Sequence, residues 1–346
     1  MSVTLHDVAK AAGVSIKTVS NVVRGQGSFS AATRERVRVA IEQLGYRPNV
    51  AARGLRTGHL GVISLIVPDI RNPYFAELAD AVMTVAAGHD LLVVIEQSRG
   101  EREVELELLH GERTQMVDGI LFSALGLIDG HGVAASITTP VVVLGEPIAD
   151  WPTDHVTMRN TEGAQTATQH LIEEGRRRIA ALGALRGHQR GTAALRLAGY
   201  RQALAGAGLP YDEDLVLDVG AWTRAAGAEG TRRLLHEHPD VDGLVAFNDA
   251  MALGAVRVLG DAGRAVPADV AVVGFDDIDE TRYSVPALST IKPGLSDIAT
   301  TAVGYLLERI HAANSTLPAR SHLADFELLV RESSTVRVGA DRCVGT

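Results

Sequence analysis

The sequence predicts an all-α helix-turn-helix headpiece followed by a larger α/β part built on parallel sheets. Three observations predict this. Residues 1–47 hold three short segments whose apolar positions recur with the period of a helix. From residue 60 onward the pattern changes to short apolar runs separated by segments of helical length. Charge divides at the same place. Residues 1–58 carry nine basic residues (Lys10, Lys17, Arg24, Arg34, Arg36, Arg38, Arg47, Arg53, Arg56) against three acids (Asp7, Glu35, Glu42), a balance of +6, leaving −15 on the remainder of a chain whose net charge is −9. Such a split is expected when one small domain must approach phosphates and a larger one need not, although basic helices can also be simply solvated.

The headpiece elements come first. Leu5, Val8, Ala9 and Ala12 stand at i, i+3, i+4 and i+7, one face of a helix that Thr4 and Asp7 cap and Gly13 stops. A second helix begins at Ser15, whose hydroxyl can accept a first-turn N–H, and turns Val19, Val22 and Val23 inward. Ile16, Lys17 and Asn21 then fall on its outer side near the N-terminal half, where such a helix touches base edges in the major groove. Val37, Ala40, Ile41 and Leu44 predict a third helix that completes the core. On spacing alone, an ordinary helical hairpin fits equally well. The stretch from Pro48 to Gly58 reads as a linker too short for a stable isolated helix, with Gly54 adding about 1 kcal/mol against one.

The α/β part opens with the runs Gly61–Val67, Leu91–Ile95, Gly119–Phe122 and Val141–Leu144, then restarts with Ile179–Gly183, Leu215–Val219, Gly243–Phe247 and Val270–Gly274. Arg282 to Pro293 reads as a return connection carrying Leu288–Ile291. Strands spaced this way form parallel sheets, and ligands of open α/β sheets bind beyond the carboxyl ends of their strands. The loop positions to inspect are Asp69 and Asn72 to Phe75, then Gly145 and Glu146, Arg190 to Arg196, Trp222, Asn248 with Asp249, and Asp276. Carboxylates, amides, arginine and aromatic faces are the set that sugar recognition needs: hydroxyls pair with the polar groups and the ring's C–H face stacks on Trp or Phe. Each has a structural alternative: Asp276 capping a helix, Trp222 in the core, Asn248 as the N-cap of the next helix.

Composition sets limits. At 346 residues, 46% hydrophobic and 22% charged, the chain can bury two or three cores. It shows no signal-peptide run and no apolar stretch of membrane length, and its one cysteine, Cys343, has no partner for a disulfide, so a cytoplasmic, membrane-free protein is expected. No phosphate loop, dinucleotide fingerprint, nucleophile elbow or His-Glu-x-x-His motif is present. His236 and His238, two residues apart, do not share a helix face as a metal pair would. Neither an enzyme nor a cofactor or metal is expected. A transport binding protein would have no use for residues 1–58.

The residues Val3-Thr-Leu-His-Asp-Val-Ala-Lys-Ala-Ala-Gly-Val-Ser15, Thr18-Val-Ser-Asn-Val-Val23, Thr33-Arg-Glu-Arg-Val37, Leu44-Gly-Tyr-Arg-Pro-Asn49 and Ala52-Arg53 with Leu55 resemble those of the LacI/GalR family of transcription regulators, and similar stretches run to Val330-Arg-Glu-Ser333. The resemblance implies a headpiece at 1–47, a hinge at 48–58 that becomes helical on DNA, and a two-lobed, periplasmic-binding-protein-like domain at 59–340. Its first lobe spans about 59–160 and 292–322, and its second about 161–291 and 323–340. The chain crosses near Asn160, Ile291 and residue 322, with Ile298–Ala312 a helix of the first lobe and Phe326–Val330 a strand of the second. It assigns DNA contacts to Ser15, Ile16, Lys17, Thr18, Ser20, Asn21, Arg53, Leu55 and Arg56, with Leu55 wedging between base pairs. Effector contacts are implied at Phe75, Arg196, Trp222, Asn248 and Asp276, and more weakly at Asp69, Glu146 and Arg190. The implied protein is a homodimeric repressor of palindromic double-stranded operators, answering a small effector, foremost a sugar. Family members answering a purine or phosphosugar are the alternative, and a sugar-binding module without DNA activity a remote one. Arg159, where an acid is common, and Arg176, where histidine is usual, depart from the pattern.

Overall fold

The computed structural model describes residues 3–23, 27–46, 59–133, 136–185, 190–312 and 317–335. The chain forms two compact units, residues 1–60 and 61–346. The linker reading at 48–58, with Arg53, Leu55 and Arg56, lies outside the described residues.

The first unit holds helices α1 (Leu5–Ala12), α2 (Ile16–Val23) and α3 (Ala31–Leu44). Thr4 and Asp7 make a reciprocal capping box, and Gly13 ends α1 in the left-handed conformation, φ 64°, with its N–H on the Ala9 carbonyl. Val8, Ala9, Ala12, Val19, Val37 and Ala40 are the buried core. Val23 and Leu44, expected to face inward, are each 37% exposed: both end their helices, beyond the reach of so small a core.

The second unit is two six-stranded sheets. The first takes its strands in the order β11-β5-β4-β3-β1-β2, all parallel, from β1 (Val62–Val67), β2 (Leu92–Gln97), β3 (Gly119–Phe122), β4 (Val141–Leu144), β5 (Asp154–Met158) and β11 (Ser321–Ala324). The second runs β12-β10-β9-β8-β6-β7, from β6 (Ile179–Ala184), β7 (Val216–Asp218), β8 (Gly243–Ala246), β9 (Ala271–Phe275), β10 (Ser289–Pro293) and β12 (Phe326–Leu329); β12 alone is antiparallel to its neighbour. Helices α4 (Pro73–Ala87), α5 (Arg102–His110) and α10 (Leu295–His311) accompany the first sheet, and α6 (Asn160–Glu173), α7 (Thr192–Gly206), α8 (Arg224–Glu237) and α9 (Asp249–Asp261) the second.

The chain changes sheets three times: between β5 and α6 at Arg159, after β10 at Gly294, and between β11 and β12 at Asp325. The last two crossings each lie three residues beyond the positions that the resemblance implied. Strands β5 and β11 were not among the apolar runs. Asp154 and Thr157 are buried polar residues inside β5, and β11 is a half-exposed edge strand, so neither carries the signal of a buried parallel strand.

Glycine sets one close approach between helices. A Cβ at Gly199 on α7 would collide with the Thr161 carbonyl on α6, so only glycine lets these two helices pack this closely. Arg196 stands one turn before Gly199, and Asn160 begins α6.

Candidate functional site

Helix α2 presents Ile16, 47% exposed, and the exposed Lys17, with Ser20 and Asn21 partly exposed one turn on. Val19 on the other side is buried in the three-helix core, which fixes the helix's rotation. Ser15 accepts the Thr18 N–H at 3.0 Å, and its Oγ lies 2.8 Å from Thr18 Oγ1, so both hydroxyls cap the helix start. A short helix with one basic, one apolar and one amide side chain on its outer face carries the groups that read phosphates, thymine methyls and adenine edges.

The second cluster is built where strands of both sheets end. Arg196, 2% exposed, is its centre. Its Nε donates to Asn160 Oδ1 at 2.8 Å, its Nη1 to the Phe247 carbonyl, and its Nη2 to Met158 Sδ at 3.2 Å. Nη2 also lies 3.7 Å from Asp276 Oδ1. The guanidinium stacks 3.5 Å from the Phe275 ring centroid and 5.3 Å from that of Trp222. From the first sheet, Glu146 beyond β4 accepts Asn160 Nδ2 at 2.7 Å and Thr157 Oγ1 at 3.0 Å. A continuous polar chain, Glu146, Asn160, Arg196, Asp276, thus joins the ends of β4 and β9 across the two sheets.

The loop bearing Asp276 is itself held in place. Asp276 and Asp277 both have positive φ, 117° and 54°, conformations unusual for side-chain-bearing residues. Asp249, fully buried, accepts Thr290 Oγ1 at 2.7 Å and the Ile278 N–H at 3.1 Å, and Arg331 Nη2 donates to Asp277 at 2.6 Å. Burial pushes the Asp276 carboxyl up to about 7, against the attraction of Arg196 and with the repulsion of Glu77. Burial, then Asp276, also raises Asp249 and Tyr74, and burial raises Glu77, whose carboxylate on α4 accepts the Asp279 N–H at 2.8 Å.

The residues read from the sequence divide accordingly. Glu146, Arg196, Trp222, Asn248 and Asp276 gather around one point. Trp222 donates its indole N–H to the Gly183 carbonyl at 2.9 Å, while Asn248 caps α9 through Met251 N at 2.9 Å and holds the Trp222 carbonyl at 3.2 Å. Asn248 is therefore the N-cap that the sequence offered as its structural alternative, and a strut for Trp222 as well. Asp276 caps no helix. Phe75 adjoins through Tyr74, edge to face at 5.1 Å. Asp69 is instead turned onto its own loop, binding Arg71 Nε at 3.0 Å and Nη2 at 2.9 Å, and Arg190 is exposed at the head of α7. Asn160, Glu77 and Phe275 were not read as site residues, and Tyr74 only as part of the loop from Asn72 to Phe75. Asn160 stands two residues beyond β5, so that strand, once recognised, would have marked it.

The two departures from the family pattern also have partners. Arg159 pairs with Asp325 at 3.3 Å, spanning two of the sheet crossings, and Arg176 donates to the Pro267 carbonyl at 2.6 Å. Among the described residues, no helix is long and apolar enough to cross a membrane, and no group of His, Cys, Asp and Glu could hold a metal ion.

Residues 4–49 match the model of bacterial regulatory proteins of the lacI family, and residues 168–334 that of the periplasmic binding protein-like domain. The HTH-type transcriptional regulator CelR of Thermobifida fusca is 38% identical over 343 residues, 95% of this chain and 98% of that protein. A solved CelR–cellobiose complex is 33% identical, with a TM-score of 0.70 over 96% of this chain and 99% of the other. The lac repressor dimer bound to operator and an anti-inducer is 27% identical, with a TM-score of 0.78 over 97% of this chain and 100% of the other. Headpiece, two-sheet domain and near full-length similarity to regulators converge: the chain belongs to the LacI family and is a DNA-binding transcriptional regulator, not an enzyme.

Proposed function

We propose that this regulator is a cytoplasmic homodimeric repressor whose affinity for a palindromic operator is set by a sugar bound between the two sheets. The observation that carries the reading is the buried chain from Glu146 through Asn160 and Arg196 to Asp276, which ties the two sheets at the ends of their strands. A ligand that enters this chain changes how the sheets meet. Sugar hydroxyls both donate and accept, so they match a site that offers a guanidinium beside carboxylates and amides, with Trp222 and Phe275 as apolar faces. The similarity to a cellobiose-bound relative supports the same ligand class.

In this reading Lys17, Asn21 and Ile16 meet base edges while Ser15, Thr18 and Ser20 set the helix on the backbone. Residues 48–58 form the hinge, where Arg53 and Arg56 meet phosphates and Leu55 enters the minor groove. The second copy has apolar surface to meet: Leu92, Val94 and Ile95 on edge strand β2, with Met83 on α4, are 39–60% exposed. Dimerisation presents two headpieces to two half-sites.

Fluorescence anisotropy on operator DNA tests the proposal. Full-length protein should bind with an affinity that falls steeply as salt rises, because the basic headpiece releases counterions. A fragment lacking residues 1–58 should not bind, and equal affinity for that fragment would refute the assignment.

A further inference from the structure

We infer that the effector is an uncharged polyhydroxyl compound and that the cleft rejects its phosphorylated form. The inference rests on the proposal that the effector enters the Arg196 cluster. Four carboxyl groups belong to the cluster: Asp276, Asp249 and Glu146 act on the Arg196 guanidinium, and Glu77 acts on Asp276. Three of them are already committed to fixed partners: Glu77 to the Asp279 N–H at 2.8 Å, Glu146 to Asn160 at 2.7 Å, and Asp249 to Thr290 at 2.7 Å and Ile278 N at 3.1 Å. An arriving anion would therefore meet carboxyl oxygens on both sides of the cleft, and none of them can pair with it without taking up a proton.

Arg196 has little left to offer an anion. Its Cζ lies 3.5 Å from the Phe275 ring centroid and 5.3 Å from that of Trp222. Nε, Nη1 and Nη2 each donate to a protein partner, respectively Asn160, the Phe247 carbonyl and Met158 Sδ, and Nη2 lies 3.7 Å from Asp276. A phosphoryl group is normally held by a bidentate arginine fork, several cations or free helix N-termini. At α4 and α9 one first-turn N–H is taken by the side chain of Asn72 or Asn248, while α6 and α7 begin without a side-chain cap. The other arginine read from the sequence, Arg190, is exposed at the head of α7 rather than gathered round Arg196.

The titration of the cluster points the same way. Asp276, Asp249, Glu77 and Tyr74 are all shifted toward their protonated forms, even with Arg196 in their midst. Burial is the main cause in each, and the neighbouring carboxylates add to it. A site that already resists its own negative charge disfavours two more. Hydroxyl groups bring none, and they can take the remaining guanidinium N–H groups while donating to Glu146 and Asp276.

The test is isothermal calorimetry and thermal shift on the full-length protein with a panel of common mono- and disaccharides, each paired with its 6-phosphate where one exists. At least one uncharged sugar should bind, and its phosphate should bind about 100-fold more weakly, the scale expected for a like-charge juxtaposition. A phosphate form less than tenfold weaker than its parent overturns the inference, as does a panel in which no uncharged sugar binds. Failure of the underlying cleft assignment looks different: Asp276→Ala would then bind the same ligand as tightly as the unaltered protein.

Discussion

Replacing Asp276 by asparagine should stabilise the effector-free protein while removing its response to sugar. Asparagine keeps the shape and tolerates the positive φ of 117°, so the change removes charge and little else. The folded carboxyl titrates at about 7 against an ordinary 3.8. A raised value means that folding takes up a proton between those limits, so the ionised carboxylate lowers stability by an amount that starts near pH 4, grows with pH and is complete above pH 7. At about 1.4 kcal/mol per unit, the cost at pH 8 reaches up to about 4 kcal/mol. Urea unfolding at pH 5 and pH 8 measures it. The variant should gain on the order of 1–4 kcal/mol at pH 8 and less than half of that at pH 5, with sugar binding lost in calorimetry. A variant less stable than the parent at pH 8, or one whose gain is the same at both pH values, would refute the reasoning and mark Asp276 as an ordinary structural carboxylate.

Two further predictions concern parts of the molecule away from the cleft. Asp154, fully buried, accepts Arg309 Nε and Nη2 at 3.0 and 2.7 Å and Arg320 N and Nη2 at 2.8 Å each, tying β5, α10 and β11 together. Asp154→Ala should cost about 3–5 kcal/mol in urea unfolding, because it strands two guanidinium groups. Those two arginines and the Arg320 N–H hold its carboxyl at about 2 despite burial, so its contribution is complete above pH 4 and fades toward pH 2. The melting-temperature gap between the two proteins should close over that range, and a gap that persisted at pH 2 would count against this pairing. In the headpiece, Asn21→Ala should relax sequence preference at one half-site position by roughly 1–3 kcal/mol, whereas Arg36→Ala should weaken all sequences about equally or leave them unchanged. Selection on randomised half-sites distinguishes the two, and an unchanged preferred sequence for the Asn21 variant would remove α2 from the groove.

Legibility in the sequence tracks the range of the interactions. The headpiece helices were legible because caps and apolar faces act over three or four residues: Thr4 with Asp7, Ser15 with Thr18, Val8 with Ala12. The central parallel strands were legible for the same reason, since burial on both faces writes a continuous apolar run. Strand β5 was not, because Asp154 is a polar residue whose partners stand 155 and 166 positions away. The cleft mixes both cases. Glu146 and Asp276 could be flagged as loop residues after apolar strands. That Asn160 links Glu146 to Arg196, and that Asp69 turns aside to Arg71, depends on how two sheets meet and on a local loop bond that no periodicity encodes. Arg196 was read as part of the loop from Arg190 to Arg196, but it stands inside α7, and its place in the cluster depends on Gly199 bringing α7 against α6.

Reciprocal coupling between the cleft and the DNA is the centre of the proposed regulation. Operator affinity measured by anisotropy with and without saturating sugar should change by a factor within about 5–150, and sugar affinity measured by calorimetry with and without operator should change by the same factor. Sugar that binds at the Asp276 cluster while leaving operator affinity unaltered would contradict it.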